Sequence, residues 1–449
     1  MYGLSSYLVT DLIQRGALGE AQAFIFIPIT FLGFYHIMYD DIKKWYLLPI
    51  GLAGMIYCHL LSSLVTVLVL FVFLVASYKK IMENPKRLIF IAASAIVFFL
   101  LSANYIFPML EQLQSSSFLS TDGYSATKWG TLEGRSMPWW AVFYDFASSS
   151  EMHSTYIPNG IGVAGLVFAG IFIFCGKKPK NKFITFLLAA SAVMLFMTTS
   201  LFPWEYLQGV CGILQFPWRL LVYPTFFIAV ATALYFGDES HSKDHSNLMY
   251  VVIAISLCSY VCCGSGYFNT YAKYQLGDVN VKYDYVNKIG AAEYLPSTDE
   301  FERTSNYGAV YRDTLINTSE KLYSDGKPKA SMAREDGKLI VSFSGMNKDN
   351  AYIDVPLLMY KGYSAHLEDG RELECYYGKY NRIRVNVGNV REGTITFEYT
   401  GTAIQKISGA VSILSFLAMI AYLIVMPRLL NENKKKKIPE SIQSEPEIQ

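Results

Sequence analysis

The 449-residue chain is 52% hydrophobic and 17% charged, with a formal net charge of +1. A soluble domain carries about a quarter charged residues, so the composition argues against an ordinary soluble protein. The near-neutral balance gives no footing for a nucleic-acid partner.

The seven cysteines (Cys58, Cys175, Cys211, Cys258, Cys262, Cys263 and Cys375) lie mostly in apolar blocks without metal-site spacing. They read as small buried hydrophobes, with no disulfide framework. The N-terminus has no basic n-region, so no signal peptide is expected.

In chain order, the apolar blocks are Ala21–Tyr39, Trp45–His59, Leu61–Tyr78, Leu88–Phe107, Asn159–Cys175, Phe183–Phe202, Trp218–Phe236, Leu248–Cys263 and Ile404–Val425. They predict a membrane all-α bundle with roughly nine crossings. Trp45–Tyr78 is predicted to be a hairpin. As one helix it would run about 50 Å, against a hydrocarbon core of about 30 Å. The turn is expected at Cys58-His59-Leu60-Leu61-Ser62-Ser63, which leaves a short first arm.

Basic residues orient the blocks. Lys43 and Lys44, then Lys79, Lys80, Lys86 and Arg87, then Lys177, Lys178, Lys180 and Lys182, and finally Lys434 to Lys437 all follow alternate spans. The positive-inside rule places them in the cytoplasm. Met1–Glu20 is then outside and the C-terminus inside, in a multi-pass protein of the cell membrane.

The domain reading is a membrane domain over 1–263 with an outer loop at 108–158, and an extracytoplasmic, mainly-β domain over 264–403. The last span covers 404–427, and a basic, disordered cytoplasmic tail covers 428–449. Strands are predicted at Lys338–Ser344, Ala351–Met359, Arg382–Val387 and Gly393–Thr400, with turns at Gly370, Gly378 and Gly388. They predict a β-sandwich-like fold. The stretch around Tyr267–Asn317 is expected to be partly helical.

No Walker loop, HExxH, GxSxG or dinucleotide fingerprint is present. The polar residues of interest lie at the outer ends of spans. Asp11 and Arg15 are four apart and share a helical face, with Glu20 just before the first span. They form either an anchoring ion pair or a clamp on a lipid phosphate, which guanidinium matches in a bidentate way. Arg15 is expected to hold the Asp11 carboxyl acidic. In Gln215-Phe216-Pro217-Trp218-Arg219, Trp218 and Arg219 fit an interfacial anchor, and Arg219 equally fits the same phosphate site. His59 is either a satisfied core residue or a third phosphate ligand. Trp139, Trp140 and Asp145 suit stacking on a sugar ring, and the tryptophans also suit an interfacial belt. No catalytic residue and no metal site stands out.

The run Tyr7-Leu8-Val9-Thr10-Asp11-Leu12-Ile13-Gln14-Arg15-Gly16-Ala17-Leu18-Gly19-Glu20 resembles a signature of bacterial membrane proteins labelled "6-pyruvoyl-tetrahydropterin synthase-related". His59 with Ser62, and Gln215 to Arg219, fit the same pattern. Val355 to Tyr363 followed by Asp369-Gly370, and Gly409 to Ser412, resemble YfhO-like membrane proteins. Pterin synthesis needs a zinc site of about three histidines, and the six here (His36, His59, His153, His241, His245, His366) are scattered.

The resemblance implies a GT-C-like glycosyltransferase, or the C-terminal portion of one. Such an enzyme takes sugar from a polyprenyl-phosphate donor to a cell-envelope glycan or lipid, and its metal requirement is left open. The family's N-terminal helices and catalytic carboxylate loop precede the motif, so an upstream chain is an expected partner, beside the bilayer and the polyprenyl-linked sugar. The alternative is a non-catalytic envelope protein whose outer domain binds a glycan or protein. Transport is least favoured, since neither an inverted repeat nor mid-span charges are visible.

Overall fold

The computed structural model describes residues 1–120, 131–143, 160–162, 165, 182–237, 239–272, 294–301 and 307–436. Its main helices are α1 (Leu18–Tyr39), α2 (Leu47–Cys58), α3 (Leu60–Ala76), α4 (Lys86–Leu101), α5 (Ala103–Ser115), α6 (Lys182–Thr198), α7 (Val222–Gly237), α8 (Glu239–Ala272), α9 (Tyr307–Asn317) and α10 (Ala403–Lys436). Among the described residues, four helical stretches are long and apolar enough to cross a membrane: Leu18–Tyr39, Pro217–Gly237, Asn247–Gly266 and Ala403–Met426. Counting the bent pair α4 and α5 as one span makes five. Helices α3 and α6 are apolar but shorter. The block Asn159–Cys175 lies outside the described residues apart from 160–162 and 165.

Glycine sets the closest packing. A Cβ on Gly33 would lie 2.2 Å from the Leu48 nitrogen, on Gly51 2.3 Å from Thr30 Oγ1, and on Gly54 2.2 Å from Phe26 Cδ1. A Cβ on Gly19 would lie 2.5 Å from the Cys58 carbonyl oxygen. These pairs run in opposite order along the two helices, so α1 and α2 are antiparallel with their backbones nearly touching, as small residues allow between membrane helices. At 12 residues, α2 is about 18 Å long, too short to cross alone. It stops at His59, whose backbone is extended (φ −155°, ψ 107°). The chain reverses there into α3, and Ser77 beyond its end meets Tyr39 at the end of α1.

Two ends of the bundle can now be told apart. At one, Tyr57 donates to the Leu101 carbonyl at 2.9 Å, and α5 leads on to the C-terminal domain. Gln112 Nε2 donates to the Lys361 carbonyl at 2.7 Å, and Gln112 Oε1 accepts from the Lys361 N–H at 3.2 Å. Glu111 accepts from the Thr402 hydroxyl at 2.5 Å and pairs with Lys361 at 3.3 Å. At the other end, Arg87 donates to the Ile37 carbonyl at 3.2 Å, and Trp45 Nε1 donates to Tyr422 at 3.2 Å. Lys43, Lys44 and Lys86 lie at this second end.

The C-terminal domain is a sandwich of two antiparallel sheets. One has the order β1 (Tyr323–Ser324), β4 (Tyr352–Leu358), β8 (Arg382–Asn386), β7 (Cys375–Tyr377). The other has the order β2 (Lys329–Glu335), β3 (Lys338–Ser344), β9 (Gly393–Tyr399), β5 (Tyr363–Leu367), β6 (Glu372–Leu373). Alternate residues of both sheets (Val341, Phe343, Ile395 and Phe397 from one, Ile353, Val355, Ile383 and Val385 from the other) share one core, as the period of two requires. Asp354 is fully buried. It accepts from Arg384 Nε at 2.6 Å and Nη2 at 2.8 Å, and from the Lys379 N–H at 3.0 Å.

The structure corrects several expectations. The block Leu88–Phe107 is not one straight span, because α4 and α5 meet at 73° across Ser102. The outer loop at 108–158 opens as helix, since α5 carries Pro108 inside it and runs to Ser115. Met1–Glu20 packs into the bundle: Tyr7, Thr10 and Asp11 are fully buried, and Tyr2 donates to the Phe24 carbonyl at 2.9 Å. Of the described cysteines only Cys263 is buried, and Cys258 and Cys262 lie on the exposed face of α8. Gly370 and Gly388 turn with positive φ, but Gly378 is extended. Its role is room, since a Cβ there would meet Asp354 Oδ1 at 2.4 Å.

Candidate functional site

The N-terminal segment builds one wall of a buried charged cluster at the bundle end that carries the sandwich. Ser5 caps the short helix Ser6–Val9 by accepting from the Leu8 N–H at 3.2 Å. Thr10–Gln14 then makes one π-helical turn, closed by the Arg15 N–H on the Thr10 carbonyl at 2.9 Å. Gly16, with φ +59°, lets the chain swing into α1. The widened turn keeps Asp11 and Arg15 on one side, and they form a close ion pair.

Glu20, in the first turn of α1, is 3% exposed and lies at the centre. Tyr7 donates its hydroxyl to Glu20 Oε1 at 2.5 Å. Arg15 Nη1 lies 3.0 Å from Glu20 Oε2 and donates to the Tyr7 hydroxyl at 3.2 Å. Arg219 Nε lies 3.4 Å from the same Oε2.

The second wall is the turn before α7. Gln215 adopts φ 62°, ψ −45°, a conformation that costs a non-glycine residue about 1–3 kcal/mol. It holds Gln215 Oε1 where Arg219 Nη1 donates to it at 2.9 Å, and the same nitrogen donates to the Leu214 carbonyl at 2.9 Å. Phe216 is extended, as a residue before proline should be, and Pro217 opens the 3-10 turn that presents Trp218 and Arg219. Trp218 is buried and stacks on Phe216 with 4.6 Å between ring centroids.

His59 borders the cluster where Gly19 meets Cys58. Its Nδ1 accepts from the Ser62 N–H at 3.2 Å and lies 2.8 Å from Ser62 Oγ, so it caps α3. A neutral ring held this way carries its proton on Nε2. Tyr223 donates to the Ser62 carbonyl at 3.1 Å, tying α7 to the same corner.

The electrostatics depart from expectation at Asp11. Burial pushes its carboxyl well above the usual range, and the Glu20 carboxylate adds to this; Arg15 opposes both and does not win. Burial also works against the Arg15 guanidinium, but Tyr7, Glu20 and Asp11 outweigh it and hold the charge more firmly than usual. Asp11 Oδ2 accepts no hydrogen bond among the described residues.

The structure therefore brings Asp11, Arg15, Glu20, Gln215 and Arg219 together, with Trp218 and His59 at the border. Tyr7 and Arg135 were not singled out from the sequence. Tyr7 lies inside the N-terminal motif, but its hydroxyl reaches Glu20 only through the fold. Trp139 and Trp140 are exposed on the short helix Trp139–Phe143, in the loop that carries Arg135. Asp145 lies outside the described residues.

An apolar groove of about 440 Å³ runs between α7 and α8, lined in part by Met1, Thr232, Ala233 and Met249. It does not include Arg15, Glu20 or Arg219. Among the described residues, no group of three or more His, Cys, Asp or Glu side chains is arranged to hold a metal ion. Comparison of the chain with family models, with curated proteins and with solved structures finds no match.

Proposed function

We propose that the chain is a cell-membrane protein, with roughly nine crossings in a GT-C-like arrangement, that binds the phosphate of a polyprenyl-linked sugar at Arg15 and Arg219. In this reading it is a glycosyltransferase, or the C-terminal portion of one, acting on a cell-envelope glycan or lipid. The lysine-rich end of the bundle faces the cytoplasm, and the cluster and the sandwich face outward.

The observation that carries the reading is the meeting of two arginines on a single oxygen of Glu20. A lone cation at a span end needs only to reach the headgroups. Two half-buried guanidinium groups, aligned by carboxylates and by a strained backbone at Gln215, are a preorganised anion site. The Nε2–H of His59 adds a neutral donor. The apolar groove between α7 and α8 suits the hydrocarbon part of such a ligand.

One observation favours a second reading, a non-catalytic envelope protein whose outer domain binds a glycan or protein. Asp11 and Glu20 are both engaged by arginine, so neither carboxylate of the cluster is free to act as a base.

The test is a paired assay on the full chain in nanodiscs. Polyprenyl phosphate binding is measured by calorimetry, and transfer is followed from a labelled polyprenyl-phosphate sugar to envelope extract. Binding with transfer is the expected result. Binding without transfer favours the second reading, and the absence of binding overturns the phosphate site.

A further inference from the structure

The chain between α6 and α7 is too apolar for a connection that runs through water. From Thr199 to Trp218 it carries one charged residue, Glu205, whereas water-facing loops are polar. It makes no span either. It folds as three short turns in succession, Trp204–Leu207, Gln208–Cys211 and Gly212–Leu214, at the bundle end that carries the charged cluster.

One face of these turns is fastened to the protein. Trp204 is buried, its Nε1 donates to the Met197 carbonyl at 2.9 Å, and its ring centroid lies 4.7 Å from that of Phe202. Leu214 is buried as well. Gln208 Oε1 accepts from the Leu132 N–H at 2.7 Å. The loop that follows Leu132 is pinned in turn: the Met137 N–H donates to the Thr198 carbonyl at 2.9 Å, and the Met137 carbonyl accepts from the Ser200 N–H at 2.8 Å.

The opposite face is bare. Leu201 is 62% exposed, Tyr206 80%, Val210 83% and Ile213 64%. Tyr206, Val210 and Ile213 have the i, i+4, i+7 spacing of one helical stripe. Single exposed apolar residues need no explanation, but a contiguous stripe marks a surface that something covers. This stripe runs on into α6. Phe202 packs on Phe196 with 5.5 Å between ring centroids, and Phe196 and Val193 are themselves exposed on α6.

We propose that Leu201–Leu214 is an in-plane hook that inserts Leu201, Tyr206, Val210 and Ile213 into the bilayer leaflet on the cluster's side, and so fixes the depth of the Gln215–Arg219 turn that follows it. Three observations make lipid the occupant. The stripe continues the exposed apolar face of α6 and leads into Pro217–Gly237, a stretch long and apolar enough to cross a membrane. Tyr206, and Trp139 exposed on the pinned loop, are residue types that the headgroup level favours. Four side chains are also far fewer than the roughly 20–30 residues that a standard protein interface takes from each partner. No Lys or Arg lies between Thr199 and Trp218, so the insertion draws on apolar area and needs no anionic lipid. The inference rests on the membrane reading above and not on the phosphate site.

The experiment places the photoreactive amino acid benzoylphenylalanine singly at Val210, Ile213, Leu257 or Glu335 of the full chain in phosphatidylcholine nanodiscs. Leu257, exposed within the stretch Asn247–Gly266, is the lipid-facing reference. Glu335, exposed on β2, is the water-facing one. After irradiation, the intact mass reads a shift of one phosphatidylcholine molecule per cross-link. The shift is expected at Val210, Ile213 and Leu257 and not at Glu335. All four positions are exposed, so melting temperatures should match wild type.

A shift at Leu257 without one at Val210 and Ile213 overturns the hook and leaves the membrane reading standing. Cross-links from Val210 to a second protein chain in place of lipid overturn it in favour of a protein contact. Equal lipid shifts at Glu335 and Val210 overturn it too, since the stripe is then no closer to lipid than the edge of the sandwich. No shift at any position overturns the hook together with the membrane placement of α8.

Discussion

Arg15 and Arg219, far apart in sequence, meet at one atom: Oε2 of Glu20 lies 3.0 Å from Arg15 Nη1 and 3.4 Å from Arg219 Nε. The contact ties the start of α1 to the turn before α7. A buried carboxylate shared by two half-buried guanidinium groups offsets part of two desolvation costs at once, and its loss leaves both partly desolvated cations without their partner.

Glu20→Gln keeps the shape and removes the charge. It should destabilise the protein by about 3–5 kcal/mol, the usual cost of breaking a buried ion pair from one side. Thermal unfolding in nanodiscs measures this. Added polyprenyl phosphate should recover part of the loss, since an external anion then takes the place of the carboxylate.

Gly51→Val and Gly33→Val should each destabilise by at least about 1–3 kcal/mol, the range for overpacking. The Gly33 clash is with backbone at Leu48, which cannot swing aside. Melting temperature reads the effect. Gly209→Val is the control, because a Cβ there meets nothing within 4 Å.

Gln215→Gly should separate stability from binding. Glycine tolerates positive φ, so relief of the strain at Gln215 stabilises the turn by about 1 kcal/mol. The same change removes an acceptor from Arg219 Nη1 and frees the guanidinium. A raised melting point with weaker phosphate binding is the expected pair of results.

Much of the cluster was legible in the sequence. Asp11 and Arg15 are spaced to pair, Glu20 opens an apolar block, and Arg219 follows Pro217 at the start of another. The direction at Asp11 was not legible, because it depends on burial and on Glu20, and burial of a polar N-terminal segment is a tertiary fact. Arg135 is legible as a basic residue of the outer loop, but its place beside Phe216 was not, for a similar reason: nothing between Thr131 and Met137 shows that the loop is pinned to Gln208 and Thr198. In the C-terminal domain the alternating runs gave β3, β4, β8 and β9 closely. The edge strand β2 was missed since its exposed, polar residues carry no apolar alternation, and β6 and β7 are too short for a pattern.

Stability should depend on pH through Asp11. Its carboxyl is raised in the folded state above the ordinary value of 3.8. Between that value and the raised one, the unfolded chain has released the proton while the folded chain still holds it. Stability from this group is therefore full below 3.8 and is lost as pH rises through the folded value. Asp11→Asn removes this slope, whatever it does to absolute stability. Melting temperature plotted against pH for both proteins checks it, and parallel curves would show that Asp11 ionises normally.

The most direct test of the phosphate site is the affinity for polyprenyl phosphate of wild type, Arg219→Lys and Arg219→Gln, each as the full chain in nanodiscs. The account predicts tight binding to wild type, a partial loss with lysine, and a loss of about 1.5–3 kcal/mol, tenfold or more, with glutamine. Equal affinity in all three, with folding intact, would contradict it and leave Arg15, Glu20 and Arg219 as an ion-pair anchor between α1 and α7.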